Sequence, residues 1–283
     1  MSKFKIATLA LAVLTSLGLL PATQAAAGAP AAQATLTGIR AASHRGYDRL
    51  VFQFSGALPA QRSARYVPVV YADPSGKVVP VSGSARLLVR FFSAGVAAHL
   101  NQRSFALPGL LEAVKAGDFE SVVTYGVGVA RKEPVHLFVL NSPPRVVIDV
   151  PTPYRTTNVG VYLIGSNGSA TAVSRPVIPD TVARGALQRL FAGPTPSEIA
   201  AGIAFVSSDA TGFNKLSISD QIASVYLTGG CDSHGSAVTI ATEIMPTLKQ
   251  FRSVSWVKIY DPEGNTAQPT GDSDSLPACL SGS

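Results

Sequence analysis

Along residues 34–150 apolar positions alternate with polar or small ones, the two-residue period of strands with one buried face. In Arg49-Leu50-Val51-Phe52-Gln53-Phe54, the residues Leu50, Phe52 and Phe54 alternate with Val51 and Gln53. Val123, Tyr125, Val127 and Val129 alternate with Thr124, Gly126 and Gly128. Further strand-like runs are Tyr66–Tyr71, Val78–Val81, Ala85–Phe92, Val135–Leu140 and Arg145–Val150. Pro-Ser-Gly at 74–76, Gly-Ser at 83–84 and Ser-Pro-Pro at 142–144 separate them as turns. One helical interruption is predicted at Pro108–Gly117, where Leu110, Leu111 and Val114 share a face. Short strands divided by turns predict a β-sandwich or barrel.

After residue 154 the period changes. Val161–Ile164 and Ala170–Arg175 flank an Asn-Gly turn and predict a hairpin. Asp180 or Thr181 then caps a helix whose Val182, Ala186, Leu187, Leu190 and Phe191 form a stripe, ended by Gly193-Pro194. Thr195-Pro196-Ser197-Glu198 starts another, with a capping residue, proline at the first position and a glutamate to close the box. Leu216 and Ile218 belong to a strand that reverses at Asp220-Gln221 into Ile222–Leu227. A helix over about Ser236–Phe251 turns Ala237, Ala241, Ile244, Leu248 and Phe251 inward, with Pro246 kinking it or displacing its start. Ser253–Tyr260 is the last strand, and Pro262-Glu263-Gly264 leads to the tail. The fold class is therefore two domains: an all-β sandwich followed by an α+β domain with an antiparallel or mixed sheet backed by helices.

Composition adds the compartment. Hydrophobic residues make up 46% of the 283 residues and charged residues 14%, which excludes a disordered or coiled-coil chain. Lys3 and Lys5, the apolar run Ile6–Leu20 and the small residues after Pro21 read as an export signal over residues 1–27. Fifteen apolar residues make a helix of roughly 22 Å, too short for a bilayer. No cysteine follows the run, so a lipoprotein anchor is not expected, and nothing later is apolar and long enough to span a membrane. Residues 28–153 carry 13 basic against 7 acidic side chains, and residues 154–283 carry 8 against 10. The first half therefore faces an anionic partner, with Arg45, Arg49, Arg65, Arg90 and Arg103 (and Arg62 and Arg86 beside them) as candidate contacts. The alternative is a solvated sheet face covered by arginine stems.

The cysteines are Cys231 and Cys279. In an exported chain an even count favours a disulfide. The rival is a nucleophile, since Cys231-Asp232-Ser233-His234 sets a thiol near an imidazole.

Two resemblances follow from quoted residues. His44-Arg45-Gly46-Tyr47-Asp48-Arg49-Leu50-Val51-Phe52, Asp118-Phe119-Glu120 and Pro143-Pro144-Arg145-Val146-Val147-Ile148-Asp149-Val150 make residues 34–151 resemble the AMIN-like domains of bacterial envelope proteins. That implies a β-sandwich that binds cell-wall polymer. Val161-Tyr162-Leu163, Ser174-Arg175-Pro176-Val177, Ala186–Thr195 and Thr247–Phe251 with Val254–Ile259 make residues 158–265 resemble the GerMN domain of sporulation and envelope proteins. That implies an α+β module for assembly or binding, with a protein partner or itself, and no chemistry. Met245-Pro246 and the Cys231 loop with the Cys279 tail depart from its pattern. Residues 266–283 are expected as a tail tied back by the disulfide.

No catalytic set emerges. There is no Gly-x-Ser-x-Gly elbow and no His-Glu-x-x-His, and His44, His99, His136 and His234 are scattered. Asp261, Glu263, Asp272 and Asp274 gather near the tail, where a cation or plain solvation would explain them. No cofactor, metal or nucleic acid is expected. The reading is an exported, non-catalytic envelope protein that acts by binding. Its alternatives are an envelope hydrolase using Cys231 or His234 and a homo-oligomeric ring or scaffold.

Overall fold

The computed structural model describes residues 33–281; the expected export signal at residues 1–27 lies outside them. Twelve strands come from the first half: β1 (Ala34–His44), β2 (Tyr47–Ser55), β3 (Gln61–Val67), β4 (Val70–Tyr71), β5 (Val78–Val79), β6 (Ala85–Phe92), β7 (Ala94–Val96), β8 (Gln102–Ser104), β9 (Leu110–Phe119), β10 (Val122–Val129), β11 (His136–Leu140) and β12 (Arg145–Pro151). They form a first sheet in the order β11-β12-β2-β1-β7 and a second in the order β3-β6-β10-β9-β8, with β4 and β5 as a separate hairpin. The inward residues of both sheets make one core, the expected sandwich. Phe52 and Phe54 meet Phe91 edge-on at ring distances of 4.9 and 5.1 Å, and each such pair contributes about 1 kcal/mol beyond its buried area.

The predicted helix at 108–117 is the strand β9, paired along its length with β10. The reason is coverage on both faces. Leu110 and Ala113 enter the sandwich core, while Ala116 and Val114 belong to a second cluster with Val70, Val81 and Leu88 under the β4–β5 hairpin. A strand buried on both faces loses its alternation, and its apolar run imitates a helical stripe. The same hairpin explains Gly126 and Gly128, small because the flap lies on them. A Cβ on Gly128 would come within 2.0 Å of the Ser82 carbonyl oxygen. Pro68 and Pro80 shorten two expected strands: Tyr66–Tyr71 divides into the end of β3 and β4, and Val78–Val81 shrinks to β5.

The second half contains β13 (Thr157–Ile164), β14 (Ala170–Val177), α1 (Val182–Phe191), α2 (Pro196–Ala200), β15 (Ala210–Ser219), β16 (Ile222–Gly229), α3 (Ile240–Lys249) and β17 (Trp256–Tyr260). β13 and β14 form the expected hairpin; β15-β16-β17 is a mixed sheet, antiparallel then parallel, with α3 in the crossover. Asp220 and Gln221, both at positive φ (51° and 61°), make the tight reversal. A second core joins Val161, Leu187, Leu190, Val225, Ile244 and Ile259.

Three sequence expectations change here. Thr181 stands at the cap position of α1 behind a 3-10 turn but makes no side-chain cap bond. α3 begins at Ile240, so Ala237 lies outside it and is exposed, and Phe251 packs on the core from beyond its end. Thr239 and Thr242 bond reciprocally at that start. β17 starts at Trp256, because residues 251–255 form the turn leaving α3. By contrast, the Thr195–Glu198 capping box forms as read, with both of its hydrogen bonds present. The described residues belong to one compact unit that holds these separate cores.

Candidate functional site

Residue parity decides where each candidate arginine points. Leu50 and Phe52 face the sandwich core, so Arg49 faces outward from the first sheet. Its guanidinium lies about 5 Å from the rings of Tyr47 and Phe138 (5.3 and 5.2 Å) and donates two hydrogen bonds to Asp149, at 2.7 and 2.8 Å. The hydrogen bonds it donates to Asp149 hold its pKa above the ordinary value. Arg65 and Arg90 face outward from the opposite sheet on adjacent strands, one diagonal step apart in register. Arg90 shares Asp73 at 3.6 Å. Arg103 lies on the outer strand β8, half-buried, opposite Ala113. Arg45 projects from the β1–β2 turn. The structure thus brings Arg65 and Arg90 together and distributes the other three. Among the described residues, Arg45 and Arg65 are exposed with no ion-pair partner.

Cys231 and Cys279 form a disulfide with Cα atoms 5.7 Å apart, and neither cysteine is free. This overturns the Cys231 nucleophile. His234 instead meets Asp209 at 3.0 Å and Asp232 at 3.7 Å on the surface. The Asp209 hydrogen bond raises its pKa. These three side chains are the one group of metal-type donors within 4.8 Å of each other among the described residues, and all are exposed. The acidic tail residues do not converge: Asp274 is bound by Lys249 and by the Val257 N–H, and Asp261 by Asn265.

A buried polar junction joins the halves, and sequence reading missed it. Asp48 accepts hydrogen bonds from the N–H groups of Gly109 (2.5 Å) and Leu110 (3.1 Å). Arg189 of α1, 2% exposed, donates to the carbonyls of Leu110 (3.1 Å) and Pro108 (2.9 Å). One strand end is therefore gripped through its amides from one half and through its carbonyls from the other. Burial lowers the Arg189 pKa to about 10, against the opposing pull of Tyr154 and Asp48. Burial likewise pushes the Tyr154 phenol up to about 12. A signal existed: Asp48 shares the inward parity of Leu50 and Phe52, and Arg189 lies three residues after Ala186 on the apolar stripe.

Beside this junction a cleft of about 880 Å³ separates the β4–β5 hairpin from α1 and β15. Val79, Pro80 and Arg86 line it from the first half, and Arg184 and Phe213 from the second. Arg86 donates through Nε to the Val81 carbonyl (3.0 Å), and Arg184 lies over the Phe213 ring at 5.4 Å. Among the described residues neither is in an ion pair and no carboxylate lines the cleft. The volume is that of a small-molecule site.

Two buried carboxyls lie outside the cleft. Glu112 accepts from the Ser82 N–H (2.5 Å) and from Gln102 (2.7 Å), and burial pushes its pKa up to about 7. Glu243 of α3 accepts from the Val206 N–H at 3.2 Å, and burial pushes it up to about 8. Arg175, also buried, is held by Glu198 at 2.7 and 2.6 Å, so the glutamate that closes the capping box also neutralises a core arginine.

No curated protein and no solved structure matches the chain. Residues 34–152 match the family model of the AMIN-like domain, and the two facing sheets with their hairpin flap are therefore an AMIN-like domain.

Proposed function

We propose that the protein is an exported, non-catalytic envelope protein whose AMIN-like half binds cell-wall polymer and whose second half, GerMN-like, binds a protein partner or a second copy. The observation that carries this reading is the AMIN-like domain at residues 34–152, since such domains are associated with cell-wall binding. The basic excess of residues 28–153 supports it, because an anionic polymer is attracted by a positive surface. Arg45 and Arg65, exposed, are the side chains best placed to meet that polymer. Both cysteines are consumed by the disulfide, which fits a role without thiol chemistry.

The test is co-sedimentation of residues 28–283 with purified peptidoglycan at low and high salt. Binding falls several-fold between about 50 and 300 mM salt as the charges are screened, and falls again in the R45Q/R65Q double variant. Absence of co-sedimentation at low salt overturns the wall-binding half of the proposal.

A further inference from the structure

The cleft between the β4–β5 hairpin and α1–β15 combines positive charge with exposed apolar surface. Its cations are in no ion pair: Arg86 and Arg184 line it and no acidic side chain does so among the described residues, the nearest influence on Arg86 being the buried Glu112 behind the wall. Arg49 and Arg90, by contrast, each have a carboxylate within reach. Its apolar wall is also left to solvent. Val78, 62% exposed, lies on the hairpin beside Val79 and Pro80, and all three line the cleft. Exposed apolar surface at a concave site next to unpaired positive charge marks a place for a molecule with both characters.

We propose that this cleft binds an anionic amphiphile, a molecule with a phosphate or carboxylate head on an apolar chain. The head lies between the guanidinium groups of Arg86 and Arg184, and the chain covers Val78, Val79 and Phe213. Arg184 is suited to the task because its stacking on Phe213 holds the guanidinium in place while leaving its N–H groups free to donate in a planar fork. The volume of about 880 Å³ accommodates one such molecule. The head-and-chain chemistry is shared by a free amphiphile and by a bilayer lipid; a concave cleft with room for one molecule favours the free one over a flat membrane surface. The proposal goes beyond wall binding and does not depend on it.

The experiment titrates residues 28–283 with dodecyl phosphate below its micelle concentration, followed by calorimetry. The expected result is one site with a dissociation constant of about 10 µM. Inorganic phosphate lacks the chain and dodecyltrimethylammonium reverses the charge, so each binds at least about tenfold more weakly. R184E weakens dodecyl phosphate about tenfold and V78D several-fold, while thermal unfolding and peptidoglycan co-sedimentation stay as in the parent, since both side chains are at least partly exposed. Equal binding of the cationic amphiphile, or unchanged affinity in both variants, overturns the proposal. Flotation with phosphatidylglycerol vesicles without binding of the monomeric amphiphile overturns it too, in favour of a membrane surface.

Discussion

In the AMIN-like half two five-stranded sheets cover each other, and a short hairpin roofs part of the outer face. In the second half a hairpin, two main helices and a three-stranded sheet share a core on which the carboxy-terminal segment also packs, through Leu276, Cys279 and Leu280. The first core closes through sheet pairing alone and contains no cysteine. The second draws on a covalent link that ties the loop after β16 to the tail, and on a buried lysine, Lys258, whose ammonium donates to the Gln268 carbonyl at 2.7 Å. Two facing sheets already remove most of each other's apolar surface from water. Thin layers with one hairpin do not, so the tail and its link complete the second core.

The largest expected effect tests that contrast. C231S/C279S opens a link spanning 48 residues and lowers stability by roughly 4 kcal/mol on the chain-entropy account. Urea unfolding followed by fluorescence of Trp256, the single tryptophan, reads the second half directly. A loss below about 1 kcal/mol would mean that the tail holds without its covalent link.

Next comes the junction between the halves. R189M keeps the length of the side chain but leaves the Pro108 and Leu110 carbonyls without their donor and removes positive charge near Asp48. The expected cost is about 3 kcal/mol. The tryptophan transition should also separate from the far-ultraviolet dichroism transition, which is dominated by both halves together. If the two probes remain coincident, the Arg189 grip is not what makes the halves unfold as one.

The smallest effect depends on pH. Glu243 has a folded pKa of about 8 against an ordinary 4.5, so the native state binds more protons than the unfolded chain between those values. Its contribution is complete at the acid end and is lost as pH rises from about 4.5 to 8. E243Q keeps an acceptor for the Val206 N–H and cannot ionise, so at pH 6 it should be more stable than the parent by about 2 kcal/mol, with no advantage at pH 4. Glu112 acts in the same direction in the first half, over about 4.5 to 7. Stability curves of parent and E243Q that run parallel from pH 4 to 8 would show that Glu243 is not buried as a neutral acid.

Much of the fold was legible because local chemistry and burial agree there. β6 spans the residues read as Ala85–Phe92, the Thr195–Glu198 box caps α2, and Asp220-Gln221 turns the β15–β16 hairpin. Where they disagree the reading failed. β9 is covered on both faces, so its pattern carried no period of two. Ala237 fits a helical stripe and so points to an earlier start for α3 than the one the Thr239–Thr242 cap sets. The charge excess of the first half was visible in composition, but which arginines are free was not. Arg49 and Arg90 are engaged by Asp149 and Asp73, distant by 100 and 17 residues in the chain.

The sequence by itself determined the strand-rich first half and the helix-and-strand second half, because periodicity and turn residues are local properties; a count of two favoured pairing of the cysteines, and the structure closed the bond. Only the tertiary structure decided that Asp48 and Arg189 grip one strand end from opposite sides, and that Arg86 and Arg184 face a cleft with no acid in it. Those relations join residues up to 141 positions apart, as Asp48 and Arg189 are. No window of sequence holds both partners, and their energies arise from burial, which exists only once the halves have packed.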